Sequence, residues 1–168
     1  MGIMTLLLDL TPDLALDRTL QEAVQIDPLH WISFGSEGRC TWLDARRLID
    51  RVGIEASFEY LVLSAGNYDA PDHRFAQTTG GPARYLLEIA EGNTVATVSP
   101  AGVGEGEQVW VTAESSPWCR SSADENVLLP AAEVTAIAYS WVTAGILDPA
   151  YELRPVQGDY AMPQPLLR

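Results

Sequence analysis

The feature that most constrains this chain is a local one. Two alternating runs, over 84–91 and 94–99, flank the dipeptide Gly92-Asn93. Period-two alternation on both sides of a Gly-Asn pair is the pattern of a hairpin closed by a tight primed turn. Tyr85, Leu87 and Ile89 fall on one face of the first run. A half-buried antiparallel pair needs further strands or helices over that face. Further strands read over 29–34, 58–64, 108–113 and 151–156. In the third of these Val109 and Val111 share a face and Trp110 takes the other. Pro155 marks the last as an edge strand.

Three helices read between them. Thr11-Pro12-Asp13 supplies a cap, a proline suited to the first turn and an acid at the positive end, with Leu16, Leu20, Ala23 and Val24 following at helical spacing. Thr41 with Asp44 resembles a capping box, Leu48, Ile49 and Val52 form a stripe, and Gly53 suits a left-handed end. Pro130 and Glu133 open a third helix with Val134, Ile137, Ala138 and Trp141 on one stripe, and Gly145 closes it. The expected fold is α+β: an antiparallel β-sheet meander with helices packed mainly on one face. The connections read as a turn over 35–38, a long loop over 65–82, a flexible Gly-rich loop over 100–107 and a polar loop over 114–126. One domain over 1–156 and a loosely held tail over 157–168 are expected.

At 168 residues and 47% hydrophobic, the chain can bury one core. It contains no apolar run of about 18 residues, so no membrane span is expected. Its start, with Met4, Leu6, Leu7 and Leu8 cut by Asp9 and no preceding positive charge, reads as a first strand rather than a signal peptide. A cytoplasmic location follows as an expectation. Cys40 and Cys119 lack paired-ligand spacing and read as partly buried thiols, with a disulfide left open.

Charge narrows the function. Lys+Arg is 10, Asp+Glu is 23, and the net charge is −13. A surface this acidic repels nucleic acid and anionic lipid and favours either simple solubility or a basic partner. Every cation is Arg, which excludes a Schiff-base lysine, a P-loop lysine and a lysine general base.

Catalytic constellations are sparse. His30 reads as structural. His73, with Asp69 and Asp72, has the side chains for a metal but no second histidine or cysteine nearby, so a solvated loop is the expectation. No serine sits in a Gly-x-Ser-x-Gly elbow. The run Gly102-Val103-Gly104-Glu105-Gly106 carries acid and no cation, which makes a poor phosphate cradle. Acid pairs such as Glu105 with Glu107, and Asp124 with Glu125, read either as solvated surface or as docking surface for a basic partner. Trp118, beside Pro117 in the polar loop, suits an interface anchor or, equally, a ring folded over a core edge.

One resemblance covers 84–156. The hairpin strand Tyr85-Leu86-Leu87-Glu88-Ile89 leads through a polar loop to Glu125-Asn126-Val127-Leu128-Leu129-Pro130-Ala131-Ala132-Glu133-Val134, then to Trp141-Val142-Thr143-Ala144-Gly145 and a closing strand. This is similar to the first-numbered family of immunity proteins of bacterial polymorphic toxin systems. There a Pro-x-x-Glu-Val helix start and a Thr-Gly helix end recur; Thr143-Ala144-Gly145 departs by one residue. The resemblance implies a non-catalytic protein without cofactor or metal, which silences a cognate toxin, a nuclease or nucleic-acid deaminase, by covering its basic active-site surface. The residues expected to meet that partner are Asp69, Asp72, Glu105, Glu107, Trp118, Asp124 and Glu125. The alternatives are a small enzyme built on His73 and its neighbouring acids, or an adaptor, monomeric or weakly homodimeric, using a sheet edge or the Trp110 face.

Overall fold

The computed structural model describes residues 29–33, 36–55, 58–65, 73–81, 83–92, 94–113 and 116–156. The helix expected from Thr11, the first strand expected before it and the tail over 157–168 lie outside these. Nine strands are described: β1 Leu29–Ser33, β2 Ser36–Cys40, β3 Tyr60–Ser64, β4 Arg74–Gly80, β5 Tyr85–Glu91, β6 Thr94–Pro100, β7 Gln108–Ala113, β8 Ser116–Asp124 and β9 Tyr151–Arg154. Two helices, α1 Trp42–Arg51 and α2 Ala131–Ala144, join them. Seven strands form one antiparallel sheet in the order β2-β1-β3-β4-β5-β6-β9, and β7 pairs with β8 in a separate two-stranded ribbon. This is the α+β meander expected from the sequence, with both helices on one face.

That face follows from the alternation. Leu61 and Leu63 of β3, Ala76 of β4, Leu87 and Ile89 of β5 and Val98 of β6 join one buried cluster. The helices cover it with Trp42, Ala45 and Ile49 from α1 and with Val134, Ile137, Ala138 and Val142 from α2. Trp42 and Tyr139 lock the helices edge to face, with ring centroids 4.9 Å apart. The α1 capping box is present: Asp44 N donates to Thr41 Oγ1 at 3.2 Å, and Thr41 N donates to the Asp44 carboxylate at 3.5 Å. Gly53 takes φ +78° just past the helix, and Gly145 ends α2 at φ +67°.

Three strands depart from the expected loops. The segment read as a turn after β1 is β2, whose Gly38 pairs with Trp31; a Cβ there would meet the indole nitrogen at 2.9 Å, so the glycine makes room for the ring. The long loop read over 65–82 contains β4, the central strand of the sheet. Its Gln77 and Thr78 are buried although polar. The polar loop over 114–126 is mostly β8, a Ser-rich strand whose ladder is completed by β7. None of the three shows a strict apolar alternation in sequence, although β4, paired on both sides, still buries Phe75 and Ala76.

The opposite sheet face is mixed. Tyr60, Val62, Phe75 and Ala90 form a second apolar cluster, and Leu86 packs with Val111, Ala123 and Val127 beneath the ribbon. The ribbon is tied back to the sheet by a bridge between Tyr85 and Leu129 and by Arg84, whose guanidinium donates to the carbonyls of Glu125 and Leu128, both at 3.1 Å.

Candidate functional site

The connection from β6 into β7 is held at almost every residue. Ala101 N donates to Ala150 O at 2.8 Å, and Gly102 N to Glu152 Oε2 at 3.4 Å. Arg154 donates to the Val103 carbonyl and, at 3.0 Å, to Glu152 Oε1. Asn126 Nδ2 donates to Gly104 O at 3.1 Å. Gly106 N donates to Asp124 Oδ2 at 2.8 Å, and Glu125 N to Glu107 O at 2.9 Å. The Gly-rich loop is therefore a pinned element, not the flexible turn expected. Glycine at 106 is required by closeness: a Cβ there would lie 2.7 Å from Asp124 Oδ1 and 2.8 Å from Asn126 Nδ2.

These bonds divide the acids by role. Glu105 and Glu107 point to solvent on the pinned loop, and Glu125 is half-buried beside them. Asp124 is only 4% exposed. Its second oxygen accepts from Asn126 N at 2.8 Å, which caps the short 3-10 turn over Glu125–Val127. The backbone donors Gly106 and then Asn126 hold its carboxyl below the usual range, with Arg154 adding to the effect. Asp124 thus corrects its assignment as a contact residue: it organises the loop from within. Trp118, expected in a loop, stands in strand β8. Asp69 and Asp72 lie outside the described residues.

The ribbon supplies a feature left out of the expected contact set. Trp110 is 59% exposed, while Val111 beside it is buried. It pairs with Ser122, and Ser122 Oγ donates to Gln108 Oε1 at 3.2 Å on the same strand pair. A large aromatic side chain displayed on a hydrogen-bonded ribbon, rimmed by polar groups and next to an acidic loop, has the make-up of an interface anchor. The alternation of Val109 and Val111 against Trp110 carried this signal in the sequence.

The catalytic candidates look different. His73 sits at the entrance to β4, 8% exposed, with its ring 6.0 Å from that of Phe75, so it is a packed side chain and not part of a solvated loop. His30 lies in β1, 3.8 Å from Glu37. Cys40 is a free, buried thiol, pushed up to about 12 by desolvation and then by Asp44. A thiol so raised is a poor nucleophile. Among the described residues no group of three or more His, Cys, Asp or Glu is arranged to hold a metal. No helix there is long and apolar enough to cross a membrane.

Comparison with known proteins returns no matching family model, no matching curated protein and no matching solved structure.

Proposed function

We propose that this protein is an immunity protein that binds a basic toxin, a nuclease or nucleic-acid deaminase, and covers its active-site surface. The observation that carries the reading is the exposed Trp110 beside a pinned loop bearing Glu105 and Glu107. Enzymes that act on nucleic acid present basic clefts. A chain of net charge −13 attracts such a cleft over long range and accelerates encounter. Once docked, Trp110 offers a large area with few rotatable bonds. The loop loses little entropy because its backbone is already held. Loop and ribbon both belong to the 84–156 stretch whose sequence motifs resemble the immunity family.

The test is co-expression with the toxin-like protein encoded beside its gene. Growth rescue by the wild type, and its loss with Trp110→Ala and Glu105→Arg together, is the expected result. Rescue that is absent from the outset sinks the immunity reading. A dimer in light scattering that Trp110→Ala dissolves would favour the homodimeric adaptor instead, because the same side chain would then be covered by a second copy.

A further inference from the structure

A groove of about 230 Å³ runs along the outer side of α2 where the chain returns towards β9. It is lined by Ala132, Ala136 and Ser140, one turn apart on the helix, with Ile137 beside them. Their small side chains leave the space open. Tyr151 forms one wall, and Glu133 and Asp148 bring carboxylates to it. Pockets for drug-sized ligands are about 300–1,000 Å³, so this one suits a single long side chain.

The two carboxylates are each half used. Glu133 Oε2 accepts from Tyr151 Oη at 2.7 Å, and Asp148 Oδ1 accepts from Ala150 N at 2.8 Å. Among the described residues neither acid has an ion-pair partner. Both acids also act on the Tyr151 hydroxyl, which burial first and then Glu133 and Asp148 push well above the usual tyrosine range. The groove is thus apolar below and negative at its rim. It lies next to the acidic loop, because Ala150 is bonded to Ala101 and Tyr151 pairs with Pro100.

We propose that this groove receives an arginine side chain of the basic protein partner, its aliphatic stem over Ala132 and Ala136 and its guanidinium between Glu133 and Asp148. Arginine fits better than lysine because a planar fork can bridge two carboxylates and lie along the Tyr151 ring. The inference rests on the reading of the protein as a binder of a basic partner and gives that partner a second point of attachment.

The groove is testable without the partner. The full chain, labelled at alanine methyls, is titrated with Nα-acetyl-arginine N-methylamide and, separately, with its neutral citrulline isostere. Saturable shifts of the Ala132 and Ala136 methyls with the arginine compound, at least tenfold weaker with citrulline, are expected. Glu133→Gln with Asp148→Asn keeps both acceptors for Tyr151 and Ala150 but removes the charge, and it should abolish the arginine shifts while leaving the melting temperature unchanged. Equal shifts from the citrulline compound, no saturable shift, or arginine shifts that survive in the double variant overturn the proposal. Failure here alongside intact growth rescue removes the groove and leaves the immunity reading. Arginine binding without rescue does the reverse.

Discussion

Gln77 and Glu88 stand directly opposite one another on β4 and β5, and Gln77 Nε2 donates to Glu88 Oε2 at 3.4 Å. Glu88 is 4% exposed, and desolvation pushes its carboxyl up to about 8. The folded protein therefore holds this proton at pH 7, whereas the unfolded chain releases it at the ordinary glutamate value. Between those two values the folded state binds more protons, so stability falls as pH rises, by up to about 1.4 kcal/mol per pH unit from this group. Below the ordinary value, and above about 8, its contribution is flat. Glu88→Gln keeps the shape and removes the titration. Thermal melts between pH 5 and 8 should show the wild type losing stability relative to Glu88→Gln. A constant difference across that range would refute the account.

The same pair shows where the sequence is readable and where it is not. The hairpin of β5 and β6, the capping box at Thr41 and the glycine end of α2 are local patterns, and each is present in the structure. Strand β4 is not local: its Gln77 is stabilised by a residue eleven positions away, and nothing in Arg-Phe-Ala-Gln-Thr-Thr-Gly alternates as a half-buried strand should. The candidate site divides likewise. Glu105 and Glu107 are exposed, as acids among glycines suggest. Asp124 also lies in a polar stretch, Ser121-Ser122-Ala123-Asp124-Glu125-Asn126, yet it is buried where the amides of Gly106 and Asn126 converge on it, and that convergence appears only once the chain is folded.

The turn between β4 and β5 carries the second prediction. Gly80 and Gly81 take φ of +115° and +91°, and a Cβ on Gly81 would collide with the carbonyl of Val52 at the end of α1. Gly81→Ala is expected to cost upwards of about 1 kcal/mol for the backbone alone, and more for the collision. Gly104→Ala, where a Cβ meets nothing within 4 Å, is the control. Melting curves followed by circular dichroism should separate the two variants by several degrees; equal midpoints would show that the turn yields without cost.

Cys40 supplies a third. Its thiol, buried at the end of β2 and raised to about 12, carries almost no thiolate at pH 8. Alkylation by iodoacetamide should therefore be slow in the native protein and should accelerate with urea in step with unfolding. Peptide mass spectrometry reads Cys40 separately from Cys119. Rapid native labelling of Cys40 would mean that this edge of the sheet opens without global unfolding.

The last prediction separates anchor from steering at the candidate surface. Trp110 is more than half exposed, so Trp110→Ala should leave the melting temperature nearly unchanged. If it anchors the toxin, its loss costs about 2 kcal/mol or more, which is roughly a thirtyfold rise in Kd, seen chiefly as faster dissociation. Glu105→Arg and Glu107→Arg act on solvated charges and should instead slow association, leaving dissociation nearly as it was. That slowing should shrink as salt is raised towards 1 M, where the Debye length falls to about 3 Å. Stopped-flow mixing with the toxin at two ionic strengths measures both rates. An association rate indifferent to the two charge reversals at low salt would show that the toxin approaches a different side of the molecule.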